Sequence, residues 1–119
     1  MKLHVKLMLA NDRDEEFLGG GLICLLEGIQ RNGSIHQAAL EMGLSYVKAL
    51  KILNRMEREV GRPLLIRHKG GAERGSTTLT PYGACCVKNF AVMRESILRC
   101  AEKAFAAFQK TCGEISPGP

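Results

Sequence analysis

Apolar residues occupy every second position from Leu3 through Val5 and Leu7 to Leu9, with Lys2, His4, Lys6 and Met8 between them. A period of two predicts a half-buried strand over residues 2–9. Residues 11–16 then form a polar, acidic turn. After Gly19-Gly20-Gly21 the spacing becomes helical, with Leu22, Ile23, Leu25, Leu26 and Ile29 apolar. Asn32-Gly33 ends that helix, because both residues tolerate a left-handed backbone. Ser34 is an N-cap, and Gln37 three residues on completes a capping box for a short helix over about residues 35–42. Gly43 stops it, since a positive φ costs glycine little. Ser45 caps a third helix that runs to about residue 60 and closes at Gly61. Ala49, Leu50, Leu53, Met56 and Val60 make its buried stripe, while Val47, Lys48, Lys51, Arg55 and Arg58 share the opposite face.

Downstream of Pro63, "LLIRHK" and "TTLT" flank the loop "GGAERGS". Two short extended runs around a Gly-rich basic tip predict a β-hairpin. Thr80-Pro81 is a helix start, a capping hydroxyl followed by proline at the first helical position. The helix it opens extends to about residue 111, and residues 113–119 read as a disordered tail. Strand, helix, helix, turn, helix, hairpin and long helix, in that order, predict a winged helix-turn-helix. It is mainly α with a small β wing, one domain over residues 1–112 that includes a long C-terminal dimerisation helix. Local details agree. Ala39 is small where two helices must approach, Gly43 makes the corner four residues later, and Leu44 and Ala49 fill the angle.

Charge sharpens this picture. The 119-residue chain carries a net charge of +5. Residues 45–74 hold eight Lys or Arg against three Glu, so the whole excess lies there. A localised basic surface attracts polyanions through field focusing and counterion release. No apolar run approaches the length of a membrane span, and the N-terminus is too short and too charged for a signal peptide, so a cytoplasmic location is expected. The five cysteines, Cys24, Cys85, Cys86, Cys100 and Cys112, form no C-x-x-C pair. They are read as reduced, buried small hydrophobes. A thiol sensor at Cys85-Cys86 is disfavoured, because neighbours on a helix point about 100° apart. His4, His36 and His68 are scattered, and no phosphate loop or nucleophile–base motif is visible, so no enzyme, cofactor or metal site is expected.

A major groove accepts one α-helix, and the helix starting at Ser45 has the basic outer face. Ser45, Val47, Lys48 and Lys51 are expected near base edges, with Arg55 further along the same basic helix. Tyr46 is expected half in the core with its hydroxyl on a phosphate. Ser34 and Gln37, at the start of the preceding helix, are assigned to the DNA face too, because free N–H groups at helix N-termini suit phosphate oxygens. On the wing, Arg67, Lys69 and Arg74, with His68, are expected along the backbone or in the minor groove.

The run "GSIHQAALEMGLSYVKALKILNRMEREVGRPLLIRHKGGAERGSTTLTPYG" resembles the N-terminal DNA-binding domain of ModE-type molybdenum transcriptional regulators, and more distantly the LysR-type winged helix. The matching pieces are "GSI-x-QAA", "MGLSY", "GRPL", the "GG" of the wing and "LTPYG", and with the leading strand the resemblance covers roughly residues 1–100. It implies a sequence-specific DNA-binding transcriptional regulator. Two departures matter. The family often has a basic pair just after the tyrosine and an aromatic two residues further, whereas this chain has Val47-Lys48 and Leu50. The operator sequence is therefore not carried over. The oxyanion-binding β-domains of full-length ModE-type proteins are also missing after the long helix, so a stand-alone relative without molybdate binding is expected.

The long helix has its own signal. Cys86, Phe90, Met93, Ile97, Cys100, Ala104 and Ala107 follow alternating steps of four and three, broadened by Val87, Leu98, Ala101, Phe105 and Phe108. So long an apolar stripe exceeds what a small head can cover. A homodimer is expected through Phe90, Met93, Ile97, Cys100, Ala104, Phe105 and Phe108. The resembled families also dimerise through such helices. The alternative is a winged-helix protein-interaction module or co-regulator that does not touch DNA. Salt-dependent retention on heparin separates the two.

Overall fold

The computed structural model describes residues 1–68 and 76–118. Chain order is β1 (Met8–Ala10), β2 (Glu16–Gly19), α1 (Gly20–Asn32), α2 (Ile35–Glu41), α3 (Tyr46–Val60), β3 (Leu65–His68), β4 (Ser76–Leu79) and α4 (Pro81–Gly113). The expected winged helix-turn-helix order is present.

The N-terminal strand is shorter than its alternation predicts. Only Met8–Ala10 pairs, antiparallel to β2, with Leu9 opposite Leu18. The partner, unexpected from sequence, has four residues and leads directly into α1. Leu3 therefore stays exposed and finds no ladder. The connecting turn is built on Asn11, whose Oδ1 accepts the N–H groups of Arg13 and Glu15, each at 3.0 Å.

Three helices then pack through small residues. A Cβ at Gly28 would sit 3.0 Å from the Ala38 Cβ, so α1 and α2 approach closely only because both positions are small. Ser34 Oγ accepts the Gln37 N–H at 3.1 Å, which is one half of the expected capping box. Gly43 takes φ 68° at the α2–α3 corner, and the Leu44 N–H donates back to Ala39 O at 2.9 Å. Ser45 Oγ then caps α3 through the Lys48 N–H at 3.1 Å. Ala49, Leu53 and Met56 are fully buried, against Leu25, Leu26 and Ile29 of α1 in one core. Leu50 and Val60, expected in the same stripe, are only partly covered at its margin.

Residues on the two sides of the wing, 57–64 and 80–83, form a clamp. Glu57 accepts the Leu64 N–H at 2.7 Å, and Leu64 O accepts the Thr80 N–H at 2.9 Å. Thr80 Oγ1 donates to Pro63 O at 2.8 Å and accepts the Gly83 N–H at 3.0 Å. A Cβ at Gly83 would lie 2.5 Å from Leu64 O, so only glycine allows this contact. Arg62 sits 5.0 Å over the Tyr82 ring. Burial, and next a hydrogen bond with Cys86, push the Tyr82 phenol above its ordinary pKa while Arg62 pulls the other way. The wing hairpin pairs Leu65 with Leu79 and His68 with Ser76, and the buried Thr77 donates its N–H to Gly33 O at 2.7 Å. Wing, α1 and α4 are thereby tied to a single head.

From this head α4 projects. Its 33 residues rise about 50 Å at 1.5 Å each, which accounts for the long axis of a 72 × 30 × 23 Å molecule. The helix includes Gly113, two residues past the end that the spacing suggests. Among the described residues no helix is long and apolar enough to cross a membrane.

Candidate nucleic-acid interface

The outward face of α3 follows from its inward one. Ala49, Leu53 and Met56 fix which side is buried, and a period of 3.6 residues puts Val47, Lys51, Asn54 and Arg58 on the other. Val47 is 61 % exposed, an isolated valine held out among cations. Lys48 and Lys51 are exposed, and Arg55 is half-buried at the edge of the face. Among the described residues the ion pairs are Arg31–Glu41 and Arg99–Glu95. Lys48, Lys51 and Arg58 thus face solvent, and with Arg55 they have no carboxylate partner among the described residues. Asn54 and Arg58, both exposed, extend the expected DNA-facing residues. Their signal was available, because they continue the Val47–Lys51 row at helical spacing.

Both N-caps sit beside this face. The hydroxyl oxygens of Ser34 and Ser45 are engaged with backbone N–H groups of their own helices, so each keeps its O–H as a donor to an outside acceptor. Gln37 is exposed on α2. Tyr46, at the first position of α3, is half-exposed, and its ring centroid lies 5.6 Å from that of His36, at a tilt of 41°. The two helices of the turn are therefore bridged at their starts by an aromatic pair, which sequence reasoning did not foresee. On the wing Arg67 is exposed, and His68 lies 3.2 Å from Thr78 Oγ1. Lys69 and Arg74 lie outside the described residues.

Along α4 the seven expected seam residues divide. Phe90 is 5 % exposed and belongs to the core of its own head, which corrects its assignment to a dimer seam. Met93 is half-buried against the same core. Beyond them Ile97 is 37 % and Phe108 56 % exposed, Cys100 and Ala104 are exposed, and Phe105 is half-exposed. The cysteines also differ from expectation. Cys24, Cys85, Cys100 and Cys112 are exposed and only Cys86 is half-buried. Among the described residues no cluster of three or more His, Cys, Asp or Glu is placed to hold a metal.

The comparisons agree with the architecture. In structure the chain is similar to the CbnR DNA-binding domain in its DNA complex, with a TM-score of 0.59 and 18 % identity, over 76 % of this chain and 98 % of that one. In sequence it is 44 % identical over 61 residues to the molybdenum transport protein ModE of Azotobacter vinelandii, covering 51 % of this chain and 23 % of that protein. It is 42 % identical over 66 residues to the transcriptional regulator ModE of Haemophilus influenzae, covering 56 % and 26 %. The chain thus spans about a quarter of the length of these curated relatives. Residues 22–84, from α1 through the wing to the first turn of α4, match the bacterial regulatory helix-turn-helix protein, lysR family, leaving the β1–β2 hairpin outside. With its helix-turn-helix, wing and basic face in one head, the chain belongs to the lysR family of bacterial regulatory helix-turn-helix proteins, as a DNA-binding transcription regulator domain resembling the N-terminal domain of ModE.

Proposed function

We propose that the chain binds duplex DNA with sequence preference as a homodimer, placing α3 in the major groove. The observation that carries this reading is the row on α3. Lys48, Lys51 and Arg58 are exposed, carry no ion pair among the described residues, and flank an exposed Val47. Unpaired cations neutralise phosphates or read guanine edges, and an exposed aliphatic group suits a thymine methyl. Tyr46, Ser34, Gln37 and Arg55 border the row and suit backbone contacts, and Arg67 supplies a wing contact. The molybdenum in one relative's name stays with that protein, because the matched region covers the head alone, and molybdate recognition is not part of this reading.

The dimer is supported by α4, where Ile97 and Phe108 stand exposed on a helix that leaves its own head behind. Two-fold symmetry would duplicate α3 and require an inverted-repeat operator. The test is selection of bound duplexes from a random pool, followed by titration of the selected site. Lys48→Ala and Lys51→Ala are expected each to cost about 1–3 kcal/mol and to relax base preference. Wild-type affinity and preference in both variants would remove α3 as the reader.

A further inference from the structure

His36 and Tyr46 meet across the corner of the helix-turn-helix, with ring centroids 5.6 Å apart and a tilt of 41°. His36 is exposed and Tyr46 half-exposed. The flank they share is otherwise uncharged, since Leu40 follows His36 and Leu50 follows Tyr46 one helical turn on. Charged groups on the two helices stand on other sides. At 100° per residue Glu41 lies about 140° around α2 from His36, and Lys48 about 160° around α3 from Tyr46. From α1, Arg31 reaches α2 but is held by Glu41 at 3.2 Å, and Glu27 lines the groove beside the N-terminal segment. From the wing, β4 touches the start of α2 through the Thr77 N–H on Gly33 O, and Arg67 and His68 lie one strand further out on β3. Among the described residues His36 has no carboxylate at ion-pair distance.

We propose that His36 binds a backbone phosphate of duplex DNA as an imidazolium, so that DNA binding takes up a proton. This rests on α3 lying in the major groove. Tyr46 is the first residue of α3, so a duplex that receives the start of that helix passes its backbone beside the ring pair. The contact is made by side chains alone, with the Ser34 hydroxyl two residues away as a further donor. A neutral imidazole donates one hydrogen bond, whereas the imidazolium donates two and carries a full charge. Histidine is the side chain that ordinarily gains this charge between about pH 5 and 8. With no carboxylate at hand in the free chain, the anion that favours the charged ring is the phosphate. The Tyr46 ring supports both states. Aromatic pairs attract at this separation, and so does a cation within about 6 Å of a ring. The complex therefore holds more protons than its separated parts, and rising pH weakens it.

The test titrates the full chain with one fixed duplex at about pH 6 and about pH 8, at constant ionic strength, and repeats each titration over a range of salt. Wild type is expected to lose about fivefold in affinity per bound chain from the lower to the higher pH, within the tenfold that one unit of pKa difference gives. Its salt slope is expected to be steeper at the lower pH by about one unit per chain, as for one more neutralised phosphate. His36→Gln is expected to bind at both pH values with the weaker wild-type affinity and a single salt slope. His36→Lys, charged throughout, is expected to be equally level at the stronger affinity. His68→Gln, on the wing, is expected to keep the wild-type dependence. Wild-type binding that is level across this range would overturn the phosphate contact of an imidazolium and leave α3 as the reader. A dependence that survives His36→Gln and vanishes in His68→Gln would overturn it as well and move the proton to the wing. No duplex binding at either pH would remove the groove placement of α3 along with it.

Discussion

The first turns of α4 and its last turns carry the same apolar spacing in different surroundings. Val87 and Phe90 are buried by the head, while Ile97 and Phe108 repeat the pattern in the open. The difference teaches that periodicity states which face of a helix avoids water and is silent about what covers it. Near the head the cover is the same chain, and along the shaft the proposed second copy would supply it. The proximal turns owe their place to the folding of one molecule, and in the proposed dimer the distal ones would owe theirs to association.

Substitutions can break or sharpen that contrast when ranked by their effect on the head. Leu53→Ala empties a fully buried position in the core and is expected to cost about 2–5 kcal/mol in urea unfolding. Less than about 1 kcal/mol would mean that the head is looser than its burial indicates. Gly83→Ala pushes a methyl against the Leu64 carbonyl, a backbone atom that cannot step aside as a side chain would. About 1–3 kcal/mol is expected by the same measurement, and a neutral outcome would show that α4 can shift on the head. Ile97→Glu sits on the shaft and is expected to change intrinsic head stability by no more than about 0.5 kcal/mol in dilute solution, as for other exposed positions. It is nevertheless expected to yield monomers in sedimentation and to weaken operator binding, since each copy would place a carboxylate in the apolar seam of the proposed dimer. A dimer that persists with unchanged operator binding would show that the distal stripe is not the interface.

Much of the head was legible because its punctuation is chemical. Ser34, Gly43, Ser45, Gly61 and Thr80-Pro81 each mark a cap or corner that the backbone uses. The basic row on α3 was equally visible, since charge and helical spacing are both written in residue identity. The N-terminal alternation misled because a strand needs a partner. Glu16–Gly19 offers four residues, and its glycine looks like the opening of a helix. The Gly83–Leu64 contact was hidden because the two residues are distant in sequence and meet through a backbone oxygen. The His36–Tyr46 pair needed the angle between two helices. Exposure of four cysteines could not be read from apolar context, because thiols tolerate either side of a helix.

The clamp between Leu64, Thr80 and Gly83 gives α4 a fixed bearing from the body that carries α3. In a two-fold pair joined along these shafts, the helix acts as a ruler, and its length sets the distance between the two reading helices. Seven inserted residues would keep the apolar side aligned and add about 10 Å. That is about three base-pair steps of duplex. In such a pair the gap between operator half-sites would be written into the number of residues in a segment outside the helix-turn-helix.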